Sequence, residues 1–181
     1  MIFGRKLRQM KILKPKSSEY DDRIERRVAI ELYKRLTKKR FVSYVDEKQS
    51  CIDIYSANRK GDIIFVVEVE RNLPWKDKEY PTPELHIPPR KFLLREMALG
   101  NMVEVAGVHE SFDGVDVNYC QISNDLTRAA IVKKDALIEF IDKKHLRHLS
   151  NSRQDDYKYG DKFYFVPLDH VEIVDTLYRE T

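Results

Sequence analysis

The stretch IDIYSANRKGDIIFVVEVER, residues 52–71, constrains the fold more than any other part of the chain. Two runs of β-branched and apolar residues flank NRKG, whose Asn58 and Gly61 favour a tight reversal, so the stretch predicts a β-hairpin. Successive side chains of a strand point to opposite faces, which puts Glu68 and Glu70 on the same one. With the turn centred on Arg59 and Lys60, Asp53 falls opposite 66 or 67, and a small bulge brings it opposite Glu68. Acids gathered in this way repel one another unless a cation lies between them. The hairpin therefore either shows water a solvated acidic face or forms the floor of a site for something positive.

The flanking segments supply the rest of a sandwich. SSEYDDRIERRVAIELYKRLTKKR reads as an amphipathic helix, with Ser18 as N-cap, Asp21 and Asp22 in the first turns and Lys38, Lys39 and Arg40 at the end. Its apolar stripe is Ile24, Val28, Leu32 and Leu36, with Ala29 and Tyr33 beside it. Phe41 to Val45 alternates as a short strand. From Asn72 to Arg90 the chain carries five of its seven prolines, which argue against regular structure until Pro88 or Pro89 opens a helix through KFLLREMALGN. Met102 to Gly114 shows only a weak pattern, read as a short strand and a turn at FDGVD. VNYCQI and then SNDLTRAAIV give two more strands, KKDALIEFIDKKHL a helix, and KFYFVPLDHVEIVDT one or two closing strands. This order predicts an α/β sandwich with a mixed central sheet and a C-terminal helix and strand extension.

The chain's 181 residues suit one domain, residues 18–181, preceded by an arm at 1–17. The arm holds Arg5, Lys6, Arg8, Lys11, Lys14 and Lys16 without a single acid. Such a cluster either solubilises a terminus or binds phosphates with release of counterions. The longest apolar run, Ile63 to Val67, is too short to span a bilayer, and the N-terminus lacks the apolar core of a secretory signal. These features predict a soluble protein of the cytoplasm with no membrane partner. Cys51 and Cys120 each sit in a strand-like segment and read as reduced, buried thiols.

Chemistry follows from the acids. Hard divalent ions such as Mg²⁺ or Mn²⁺ take one or two carboxylates together with substrate phosphate, and a metal so held polarises a scissile phosphodiester. Asp53, Glu68 and Glu70 are thus candidate ligands. His145 and His148 have no further soft ligands near them in sequence and read as a solvated helix end. His86, Trp75 and Tyr80 read first as loop packing, and Asp125 as a turn residue, with Arg128 a candidate phosphate contact. No glycine-rich phosphate loop or nucleophile elbow is present.

The helix IERRVAIEL, the strand aspartate Asp53, the partnered strand VEVER, and the later HIPPRK and SNDLTRAAIV together resemble the PD-(D/E)xK nuclease superfamily, and within it a group of phage-borne proteins. The likeness spans residues 18 to about 132. It implies a restriction-endonuclease-like αβββαβ core and a metal-dependent nuclease acting on DNA, with Glu25 as the first-helix glutamate, Asp53 as the second-strand aspartate and Glu68 as the third-strand acid. Two residues after that acid the superfamily places lysine, whereas this chain has Glu70. In some branches the lysine moves to the following helix, where Lys91 is the best substitute and Arg90 the alternative, while Arg71 points to the opposite face from Glu70. Arg90 and the arm would contact nucleic acid, and a homodimer would supply two sites for two strands. Two other readings stay open: a nuclease-like fold that binds nucleic acid without cutting it, and a small phage or host interaction protein whose acids face solvent.

Overall fold

The computed structural model describes residues 23–39, 41–45, 52–76, 78–105, 108–148 and 162–179. The basic arm with Arg5, Lys6, Arg8, Lys11 and Lys14, the Ser18 cap with Asp21 and Asp22, and Cys51 lie outside them.

Helix α1 (Ile24–Thr37) forms where apolar residues recur at three- and four-residue spacing, and it ends at Lys38, whose φ of 54° is left-handed. Its buried residues are Arg26, Val28, Ala29, Ile30, Leu32 and Tyr33. Leu36, expected on the stripe, is 41% exposed. The packed face is therefore turned toward the Arg26, Ile30 and Tyr33 row, which carries one arginine inward.

Strands β1 (Ser43–Tyr44), β2 (Ile54–Ala57) and β3 (Ile63–Asn72) follow as an antiparallel meander. The β2–β3 turn is closed by Asn58, whose Oδ1 accepts from the N–H groups of Lys60 and Asp62 at 2.8 and 3.0 Å, and by Gly61 at φ 85°. A register shift between Ser56 and Ala57 aligns Ile54 with Val67, so Asp53 falls across from Glu68, as the bulged register requires.

Beyond β3 come β4 (Glu84–Ile87), a 3₁₀ turn at Pro89–Lys91, α2 (Leu93–Ala98), the hairpin β5 (Met102–Val105) and β6 (Val108–Ser111), β7 (Asp116–Ser123), β8 (Arg128–Val132), α3 (Lys134–Phe140), β9 (Leu146–His148), β10 (Lys162–Pro167) and β11 (Glu172–Asp175). The main sheet is mixed and six-stranded, in the order β1-β2-β3-β7-β8-β11, with β3 and β7 parallel. A separate sheet runs β4-β10-β9. A parallel pair cannot be joined by a tight turn, and the long crossover from β3 to β7 brings α2 across the sheet. Phe65, Val67, Val69, Cys120 and Ile122 pack with α1 on one side, while Val66, Val117 and Tyr119 pack with Leu94 and Met97 of α2 and Leu137 of α3 on the other. Cys120 is fully buried there, and burial pushes its thiol up to about 12. The architecture is thus a mixed α/β sandwich, as expected. Among the described residues no helix is long and apolar enough to cross a membrane.

Four local expectations differ. The proline-rich segment contains β4, stabilised by a partner strand some eighty residues later. The helix expected from Pro88 or Pro89 is a 3₁₀ turn followed by the short α2. Met102–Val105 and Val108–Ser111 pair as two antiparallel strands where one short strand is expected, while the turn at FDGVD is present, with the Val115 N–H on the Phe112 carbonyl at 3.0 Å. The helix at KKDALIEFIDKKHL stops at Phe140, because Asp142 turns the chain by accepting from the Lys144 N–H at 3.0 Å.

His86, on the outward face of β4, stacks edge-on against Phe165, with ring centres 4.6 Å apart. Burial holds its pKa below the ordinary 6.5; Glu84 opposes the shift and Arg147 adds to it. Below pH about 6.5 the folded chain then binds fewer protons than the unfolded one, so this contribution is present above that pH and is lost as pH falls through the folded value. Between pH 7 and pH 5 the wild type is expected to lose more stability in urea than His86→Gln; equal losses would remove the assignment. Leu94→Ala, at a fully buried position of α2, is expected to cost about 2–5 kcal/mol with an unchanged denaturant slope.

Candidate active site at the end of the hairpin

The regular alternation of a strand breaks at Asp53. Ile52 joins the core on the α2 side and Ile54 the core on the α1 side, so the backbone turns over between them. The Asp53 N–H donates to the Val67 carbonyl at 2.9 Å, and its Oδ2 accepts from the Val69 N–H at 2.7 Å. Oδ1 accepts from Arg23 Nη2 at 3.0 Å and from Arg26 Nη2. Asp53 is 3% exposed and Arg26 6%. Burial of this pair follows from the turned face of α1. Removing charges from water costs several kcal/mol per ion, so such a pair persists only when its hydrogen bonds are made.

Glu68 lies on the α2 side, one residue from Val67 and Val69, and is 4% exposed. Its Oε1 accepts from Lys91 Nζ, and its Oε2 is buried without a hydrogen-bond partner among the described residues. Lys91 arrives there because Pro88 and Pro89 set the backbone for a 3₁₀ turn, closed by the Lys91 N–H on the Pro88 carbonyl at 2.9 Å. Glu70 is held between Arg90 Nη2, 2.7 Å from its Oε1, and the Tyr119 hydroxyl, which donates to its Oε2.

A buried polar layer supports these acids from β7, whose Tyr119 and Gln121 stand in register with Glu68 and Glu70. Gln121 Nε2 donates to the Tyr119 hydroxyl at 3.0 Å and to the His86 carbonyl at 2.9 Å. Its Oε1 accepts from the Tyr80 hydroxyl at 2.6 Å and from Asn72 Nδ2 at 3.0 Å. Burial, and then the Glu70 charge, push the Tyr119 phenol well above its ordinary range. It stays a protonated donor to Glu70.

Of the residues singled out in the sequence, Asp53, Glu68, Glu70, Arg90 and Lys91 fall in one connected region. Glu25 is half-buried on α1, and the helix residue that reaches Asp53 is its neighbour Arg26. Arg71 turns away from Glu70, as expected, and its Nη2 donates to the Asn124 carbonyl. Trp75 is fully buried, with the Tyr80 ring 5.0 Å away, which fits loop packing. Asp125 accepts from Ser123 and Thr127 within its turn. The solvated-face alternative does not describe Asp53 and Glu68, which are buried. Arg23, Arg26, Tyr119 and Gln121 escaped the sequence reading, although Tyr119 and Gln121 alternate visibly with Cys120 and Ile122.

For a divalent ion, the donor set fits in part. Among the described residues no group of three or more His, Cys, Asp or Glu side chains is arranged around one point. Glu68 Oε2, buried and unpaired among the described residues, is an acceptor a cation would satisfy, and Asp53 across the register is a second carboxylate once its Oδ1 is released by the arginines. Two carboxylates completed by substrate phosphate is the arrangement Mg²⁺ commonly takes. Comparison of the chain with protein-family models, with curated proteins and with solved structures yields no match.

The Lys91 and Glu68 pair carries a thermodynamic signature. Lys91→Met alone leaves a buried carboxylate without its cation and is expected to cost about 3–5 kcal/mol. Combining it with Glu68→Gln is expected to cost less than the sum of the two single changes, with a coupling of about 0.5–3 kcal/mol. Strict additivity in urea melts would show that the pair is not coupled.

Proposed function

We propose that the protein is a metal-dependent nuclease acting on DNA, built on a restriction-endonuclease-like core. In this reading α1, β1 to β3, α2 and β7 form the αβββαβ core, and β4 and the β5–β6 hairpin are insertions in the crossover. The observation that carries the proposal is the ion pair of Lys91 with Glu68. It puts a lysine beside the third-strand acid, although the residue two positions after that acid is Glu70.

Asp53 and Glu68 would hold Mg²⁺ or Mn²⁺, with Glu70 close by on the same strand. A bound divalent ion supplies Lewis-acid polarisation of the scissile phosphate and a more acidic water. The chain's own groups do the positioning. Lys91, fixed by its short turn, donates toward the oxygens of the reacting phosphate, where a preplaced cation stabilises developing negative charge. Arg90, 65% exposed in its side chain, exchanges Glu70 for a phosphate of the substrate backbone. Tyr119 keeps Glu70 in place during that exchange. Arg23 and Arg26 hold the Asp53 carboxylate oriented and neutralised while no ion is present. A homodimer would cut both strands of a duplex.

One observation favours a second reading, a nuclease-like fold that binds nucleic acid without cutting. Both oxygens of Asp53 are already engaged, Oδ1 by arginines and Oδ2 by a backbone N–H. Supercoiled plasmid separates the two. Nicking is expected in Mg²⁺ or Mn²⁺ and not in EDTA, with Asp53→Ala, Glu68→Ala and Lys91→Ala each slower by on the order of 10²-fold or more. Binding without metal-dependent nicking in the wild type would leave the second reading standing. Saturating Mg²⁺, at about 100 times its Kd, is expected to raise wild-type stability by about 2.7 kcal/mol and Glu68→Ala by much less.

A further inference from the structure

The outward face of the β4-β10-β9 sheet is not used by the site described above. Strand alternation sorts its residues cleanly. Leu85, Ile87, Tyr164 and Val166 point into the core on the α2 side, so His86, Phe163, Phe165 and Arg147 point away from it. Register brings them together, with Phe165 paired to His86 and Phe163 paired to Arg147. The His86 ring lies 6.0 Å from Phe163 and 4.6 Å from Phe165, and the Arg147 guanidinium lies 4.1 Å above the Phe165 ring. His86 and Phe163 are half-buried, and the Arg147 side chain is 55% exposed. Phe165 is 7% exposed beneath them, so the surface itself is made by the Phe163 and His86 rings and the Arg147 guanidinium.

The rim of this face is basic. Lys143 and Lys144, in the turn leading into β9, are exposed, and Arg147 follows them on the strand. Among the described residues, Glu84 is engaged by Arg147 at 2.7 Å and Asp142 by the Lys144 N–H. Positive charge around stackable rings complements a chain of phosphates carrying unpaired bases. A duplex hides its base faces and offers such a platform only its backbone.

We propose that this face binds single-stranded nucleic acid, with bases stacked on Phe163, His86 and the Arg147 guanidinium and with Lys143 and Lys144 against phosphates. Through Pro88, β4 leads directly into the turn that carries Arg90 and Lys91. As an assignment of substrate class the proposal rests on the nuclease reading, and as a binding face it stands without it.

The test is fluorescence anisotropy in EDTA with labelled oligothymidylate and oligouridylate of about twenty nucleotides, beside a duplex of the same length. Single strands are expected to bind more tightly than duplex, and the two labelled strands distinguish a DNA from an RNA ligand. Phe163→Leu is expected to weaken single-strand binding about 5- to 150-fold, while Phe163→Tyr, which keeps a ring, binds like the wild type. Lys143→Gln with Lys144→Gln is expected to flatten the dependence of log Kd on log salt by about 1.4. Absence of binding, preference for duplex, or equal binding by the Leu and Tyr variants would overturn the proposal. Since EDTA silences any metal-dependent cleavage, intact binding with no plasmid nicking in Mg²⁺ would sink the enzyme reading alone.

Discussion

The parallel pairing of β3 with β7 governs this molecule. β3 is its longest described strand, ten residues from Ile63 to Asn72, and two parallel strands need a crossover long enough to return the chain to its starting end. That crossover has to cover a face of the sheet, and the face it covers is the one bearing Glu68 and Glu70. The proline pair in the crossover then sets a tight turn above the two acids, and Arg90 and Lys91 arrive there as a geometric consequence. The same pairing stands Tyr119 and Gln121 beside the acids in register. One hydrogen-bonding choice between two strands thus fixes the acids, their cations and the polar layer beneath them.

Charge balance in the site is local and comes from both sides of the sheet. Asp53 takes Arg23 and Arg26 from α1, while Glu68 and Glu70 take Lys91 and Arg90 from the turn. The twist of the backbone at Asp53 allows this division, since it lets an aspartate in line with the acids of β3 be reached from the helix on the opposite side. In the proposed reading an incoming metal ion would meet carboxylates whose charge is already offset, and its binding would include the displacement of guanidinium or ammonium groups. A site balanced in this way would favour ligands that bring both a cation and an anion, as the proposed metal with a phosphate would.

Much of this was legible in the residues. Period-two alternation on either side of NRKG is a local signal, and it located the hairpin, the bulged register and the three acids. Prolines at 88 and 89 marked the start of the segment that delivers Lys91, although they pointed to a helix where the chain makes a 3₁₀ turn. What escaped notice depends on distant partners. β4 reads as loop because four residues among prolines form a strand only when β10 lies beside them. Arg26 escaped because the helix stripe can be drawn through Leu36 or through Ile30, and only the sheet beneath decides between them. Tyr119 and Gln121 alternate with apolar neighbours as any half-buried strand does, and their role exists only once β7 is known to lie beside β3.

Cys120 gives the central pairing an optical handle. Its thiol sits on β7, next to Val69 in the ladder, with no exposure and with its proton held far more tightly than that of a free cysteine. A thiol reagent attacks the thiolate and needs access, so in the native protein this sulfur is silent. It becomes reactive when β3 and β7 separate or the α1 layer lifts. The rate at which Cys120 is labelled thus clocks the opening of the seam on which the acids are built, and a ligand that bridges Glu68 to its surroundings slows that clock without touching the cysteine.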